Sequence, residues 1–78
     1  MHDEVMARRR AAAQAGFLND PGTALAALDD ADASVRIAGL RSAERLDALD
    51  PDRLVTLLAD PEPAVRIAAL DVLRSAGR

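Results

Sequence analysis

The sequence predicts an all-α fold: an α-solenoid of two helical hairpins behind an N-terminal lead-in helix. Three observations lead there. Shifting the chain by 30 residues aligns 19–48 with 49–78 at nine of thirty positions, and the run Val-Arg-Ile-Ala-x-Leu recurs at 35–40 and 65–70. A fixed period of this length marks a chain built from one repeated supersecondary unit. Of the 39 apolar residues 18 are alanine and Phe17 is the only aromatic, while valine, isoleucine and threonine together number nine, too few for a core of stacked strands. Proline and aspartate punctuate the chain at matching places, Asp20-Pro21 and Asp50-Pro51, where a helix start is expected. At 78 residues the chain has room for one domain, divided into a lead-in of residues 1–18, a first unit of 19–48 and a second of 49–78.

Taken in order, residues 4–15 form the lead-in helix, which Gly16 is expected to break. Val5 lies 30 residues before Val35, a faint echo of the repeat. In the first unit, Asp20-Pro21 opens a helix carrying Leu25 and Leu28. The turn at 29–32 interrupts it, and a second helix carries Val35, Ala38, Leu40, Ala43 and Leu46. The second unit repeats the plan. A helix from Asp50-Pro51 carries Leu54, Val55, Leu57 and Leu58 at helical spacing, and Asp60-Pro61-Glu62-Pro63 stops it, since proline cannot donate the backbone bond that continuation needs. The last helix starts near Pro63, runs to about Ser75, and meets Gly77, a residue suited to a helix end.

The last helix has more than one apolar face. At about 100° per residue Val65, Ala69, Val72, Leu73 and Ala76 cluster, whereas Ile67 and Leu70 fall well away from them. Two apolar faces require neighbours on two sides, one the hairpin mate and the other the adjacent unit. Gly39 stands where the second unit has Ala69, which predicts close backbone approach. Two units are few for a repeat stack, and Ile67, Leu70 and Leu73 have no successor. We therefore expect a longer array or self-association through the C-terminal end.

The pattern Leu58-x-Asp60-Pro61-x-Pro63-x-Val65-Arg66-x-Ala68-Ala69-x-x-Val72-Leu73 resembles the HEAT repeat, in the short form of about 30 residues shared with HEAT-like phycobilin lyase subunits. The resemblance covers 19–78 well and 1–18 loosely. Ala31 and Ala33 replace Pro61 and Pro63 in the first unit, so its turn is expected to be less rigidly defined. Membership would imply antiparallel helix pairs whose second helices line a concave face. It also implies a structural part for Asp30, Arg36, Asp60 and Arg66, with aspartate at the interhelix turn and arginine opening the next helix. Their side chains would form a ladder tying one unit to the next, a use that suits the planar donor fork of arginine.

Two surfaces are candidates for partner binding. Arg41, Glu44 and Arg45 in the first unit correspond to Asp71, Arg74 and Ser75 in the second, and by the resemblance these variable polar positions face the concave side. Arg8, Arg9 and Arg10 form the single concentrated basic feature in a chain of net charge −3. They are expected either to pair with the acidic turns of the next unit or to touch nucleic acid, with no aromatic neighbour for stacking.

The remaining chemistry is sparse. Without cysteine there is no disulfide, thiolate metal site or cysteine nucleophile. Asp29-Asp30-x-Asp32 departs from a calcium loop, because counting from Asp30 the sixth and twelfth positions hold Val35 and Arg41. His2 is the sole imidazole, and the His-Glu pairs of the HEAT-type deoxyhypusine hydroxylase do not occur. No apolar run reaches the roughly 18 residues of a membrane span, and the Met1–Glu4 start is polar. These features lead us to expect a non-enzymatic, cytoplasmic scaffold module that binds a protein partner and needs no cofactor or metal. A nucleic-acid-contacting protein using Arg8–Arg10 is the alternative, and the resemblance adds an accessory subunit of a lyase-type enzyme.

Overall fold

A computed structural model of the chain describes residues 2–76, with side chains from residue 4 onward. Among the described residues the chain forms five helices and no strand: α1 (His2–Ala15), α2 (Pro21–Ala27), α3 (Ala33–Arg45), α4 (Pro51–Leu58) and α5 (Pro63–Ala76). No helix is long and apolar enough to cross a membrane. The expected stop at Gly77, and the side chain of His2, lie outside the described residues.

The helix starts follow from local chemistry. Asp20 and Asp50 are N-caps, accepting from the backbone N–H of Thr23 and Asp52, and Pro21 and Pro51 fill first-turn positions that need no donor. Asp32 caps α3 through the N–H groups of Ser34 and Val35. Helix α1 ends at Ala15, directly before Gly16, as expected. Gly16 does not turn the chain; the reversal falls at Asn19, with φ 56°, matched after α3 by Asp47, with φ 54°. At each, a six-residue backbone bond closes the exit, Asp20 N–H to Ala15 O and Ala48 N–H to Ala43 O. Gly16 is instead a packing residue, since a Cβ there would lie 3.1 Å from the Arg45 and Ser42 side chains.

Helix α3 is the hub. It packs against α1, α2 and α5, while α2 also touches α1 and α4 packs on α5. The α2–α3 hairpin is antiparallel: Ala27 meets Val35 near one end and Ala24 meets Ala43 near the other. Between them Gly39 lets the helices close. A Cβ there would fall 2.6 Å from the Cβ of Ala27 and 2.8 Å from the carbonyl of Ala24. On the α1 side the contacts are nearly all alanine, Ala12 and Ala15 against Ala24, Ala27, Val35 and Ala43. On the α5 side the core is larger-grained, with Leu28, Leu40, Leu54, Leu57, Val65, Ala68, Ala69 and Val72 in one cluster. Burial of a side chain the size of Leu40 contributes about 2–3 kcal/mol.

The core stripe of α5 is narrower than its sequence implies. Val65, Ala68, Ala69 and Val72 are buried, but Leu73 and Ala76, expected in the stripe, are exposed. Val55 of α4 is exposed too. These residues point away from the helices that pack there: α4 covers α5 through Leu54 and Leu57, and α3 covers its opposite flank. Val35 and Val65, related by the repeat, are both fully buried, as its logic requires.

Substitution of Gly39 by alanine should destabilise the fold by about 1–3 kcal/mol, because two helix backbones must separate. The control is Gly22→Ala in α2, where the added Cβ meets only Asp20 Oδ1 at 3.7 Å; there a neutral effect or a gain of up to about 1 kcal/mol is expected from helix propensity. Guanidinium unfolding of the two variants measures both, and equal midpoints would contradict the close approach.

Candidate functional site

Three arginines form a ladder along the turn edge of the molecule. Arg36 donates from Nη1 to the carbonyl oxygens of Asp30 (2.8 Å) and Ala31 (3.1 Å) in its own unit. Its other edge, Nε and Nη2, grips the carboxylate of Asp60 in the next unit, both bonds at 3.0 Å. Arg66 repeats the first half, with Nη1 at 2.8 Å from the Asp60 carbonyl and 3.2 Å from that of Pro61. Arg8 repeats the second half, Nε and Nη2 reaching the Asp30 carboxylate at 2.7 and 3.3 Å. Within a unit, then, aspartate and arginine meet through a backbone carbonyl; the carboxylate is held by an arginine from one unit back, Arg36 of α3 for Asp60 and Arg8 of α1 for Asp30. Each aspartate also folds its turn, Asp30 Oδ1 accepting from Asp32 N–H and Asp60 Oδ1 from Glu62 N–H, both at 2.9 Å. The first turn is therefore as well defined as the second, although it lacks both prolines.

The carboxyl groups of the ladder stay ionised well into acid. The hydrogen bond from Arg8, aided by the Asp32 N–H, holds Asp30 below the usual carboxylate range. Burial pushes Asp60 up, but the Glu62 N–H and the Arg36 guanidinium outweigh it and the net direction is down. The rest of the acidic turn is also committed: Asp32 caps α3, and Asp29 accepts from Arg53 Nη2 at 3.0 Å.

The opposite, open face of the α1 and α3 layer carries a groove. Met6, Arg9, Arg10, Ala13 and Phe17 of α1 and the turn after it follow one helical stripe; Ser34, Ile37, Ala38, Arg41 and Arg45 of α3 follow the same spacing. The two stripes enclose two hollows of about 510 and 500 Å³ that meet at Ala13 and Ala38, with Ser42 and Glu44 completing the wall. Helices α1 and α3 run the same way, tied near their C-terminal ends by the buried Ser42 hydroxyl donating to the Ala12 carbonyl. At one end the Arg45 guanidinium lies 4.1 Å above the Phe17 ring, a cation–π contact on a ring that is 72% exposed.

The two candidate surfaces of the sequence thus become one. Arg9 and Arg10 join Arg41, Glu44 and Arg45 along the groove, while Arg8 turns away to Asp30. Asp71 and Arg74 sit on α5, on the far side of α3; Asp71 approaches Arg41 to 3.9 Å. Phe17, unassigned by sequence reasoning, supplies an aromatic surface beside Arg45 and Arg41, in the other hollow from Arg9 and Arg10. Its only signal was its position four residues beyond Ala13 on the stripe. The polar groups along the groove are mainly the planar donor forks of arginine, set among apolar side chains. Comparison of the chain with protein-family models, with curated proteins and with solved structures gave no match.

Replacing Asp60 by alanine strands a guanidinium whose side chain is only 13% exposed, and should cost about 2–4 kcal/mol. Arg8→Ala, which removes the more exposed pair, should cost no more than about 1 kcal/mol. Chemical denaturation ranks them, and the reverse order would contradict the ladder's internal hierarchy. Because the folded carboxyls of Asp30 and Asp60 titrate below their unfolded values, their stabilisation is complete above about pH 4 and lost as pH falls through the folded values. Midpoints should hold from pH 7 to about 5 and decline below about 4, and Asp60→Asn should flatten that decline.

Proposed function

We propose that this chain is a HEAT-like α-solenoid that works as a non-catalytic protein-interaction module, holding an acidic, partly apolar segment of a partner protein along the α1/α3 groove. The observation that carries the reading is the charge of that groove. Arg9, Arg10, Arg41 and Arg45 face it with Glu44 as the single acid, on a chain whose net charge is −3. The acidic turn residues Asp29, Asp30, Asp32 and Asp60 are engaged in capping and in the ladder. Among the described residues Arg9, Arg10 and Arg45 have no carboxylate partner, and Arg41 has only the exposed 3.9 Å contact with Asp71, which leaves the open face able to meet an incoming carboxylate. Met6, Ile37 and Phe17 offer apolar contact between the charges. The packing that supports a solenoid is the placement of α1, α3 and α5 side by side with α3 in the middle, joined by repeated arginine–aspartate bonds. A preformed groove loses little ordering entropy on binding.

The exposed Phe17 ring beside Arg45, at one end of a groove lined by four arginines, favours one second reading, a single nucleic-acid strand stacked and neutralised in the same groove. The chain's excess of carboxylates opposes it through long-range repulsion.

Fluorescence anisotropy with a labelled helical peptide of glutamate, leucine and alanine, run beside a labelled single-stranded oligonucleotide, separates these readings. We expect the peptide to bind more tightly at physiological salt. The combined Arg9→Glu, Arg10→Glu and Arg41→Glu variant should abolish binding with its melting temperature unchanged, and Phe17→Ala should weaken it severalfold. Preference for the oligonucleotide, or peptide binding indifferent to the three reversals, would overturn the proposal.

A further inference from the structure

We infer that the free flank of α5 is a second docking surface, shaped for a helical hairpin whose interhelix turn presents an uncommitted aspartate. The inference rests on the ladder and not on the groove. Arg36 and Arg66 hold their own turns by the same two Nη1 bonds, matching to within 0.1 Å. The plane of the Arg66 guanidinium is therefore set in advance, as that of Arg36 is. Arg36 uses its remaining edge to grip Asp60. Among the described residues no carboxylate lies within reach of the same edge of Arg66. A planar fork fixed on one side and open on the other is a preorganised carboxylate receptor.

The apolar surface beside it points to the same occupant. Leu40 of α3 is 0% exposed because α5 covers it, whereas its counterpart Leu70 is 40% exposed. Ile37 packs partly against the main cluster, while Ile67 is 62% exposed. Leu70 and Ile67 thus flank an open guanidinium in the arrangement that α5 and Asp60 satisfy one unit earlier. The occupant must carry a helix to cover Leu70 and, before it, a turn aspartate for Arg66. A second copy of the whole chain docking head to tail does not meet the second condition, because its Asp30 and Asp60 carboxylates are already held by Arg8 and Arg36. A hairpin of the build of residues 49–78, bringing its own free turn, meets both.

The test extends the full chain by a second copy of residues 49–78, placed directly after Arg78 so that the 30-residue period continues. Guanidinium unfolding of the extended chain should give one transition with a higher midpoint and a larger m-value than the 78-residue chain, as expected when additional surface folds cooperatively. Arg66→Gln should then lower the folding equilibrium constant by about ten-fold more in the extended chain than in the original, the scale of a charge-assisted pair. Changing the added copy's counterpart of Asp60 to alanine should erase that difference. An added segment that melts separately, or an Arg66→Gln effect equal in both chains, would overturn the inference.

Discussion

One side chain doing two things at once sets the geometry of the molecule. Arg36 grips the carbonyl oxygens of its own turn with one nitrogen and the carboxylate of the following turn with the other two. Lysine, a single point of charge, could do either but not both in fixed relation. The consequence is that the angle between α3 and α5 is referred to the turn before α3, so the units are aligned through backbone and side chain together. A half-buried ion pair adds little net stability by itself, because desolvation opposes the attraction. Its contribution is to make one register much better than its neighbours, while the leucine and valine cluster beneath supplies the driving force.

The groove is a by-product of that alignment. Once the turns are tied along one edge, the facing stripes of α1 and α3 are left parallel and in register, and arginines far apart in sequence converge. Small residues permit it. Ala13 and Ala38 keep the groove floor low, and the alanine contacts between α1, α2 and α3 hold the helices near enough for its two walls to face each other.

Much of this was legible in the sequence, and the failures have physical causes. The helices of the two units were readable because Asp-Pro pairs cap them and the 30-residue period aligns them. The ladder residues were readable as a set, but which arginine meets which carboxylate was not: Arg36 grips Asp60 and Arg8 grips Asp30, each from one unit back. The lead-in helix hid its likeness to α3 for a different reason. Arg8 precedes Arg36, and Asn19 precedes Asp47, by 28 residues and not 30, so a fixed shift compares the wrong positions, and the two matches it finds, Val5 with Val35 and Ala13 with Ala43, are out of register with the rungs. Gly16 stands where α1 stops, as read, but the left-handed conformation falls to Asn19, and the glycine also serves the close approach of α3, which spacing does not reveal. Exposure of Leu73 and Val55 could not be read from periodicity, which gives the angle of a side chain about its helix but not which angles have a neighbour.

The hub position of α3 also governs how the chain reaches this form. Helices α1 and α5 touch α3 and, among the described residues, not each other. No contact therefore joins the two ends, and ring closures during folding span roughly one repeat at most, where the entropy lost in bringing segments together is small. The molecule should assemble rapidly from its middle outward and loosen from its outer helices inward, with the segment around Leu40 the last to let go.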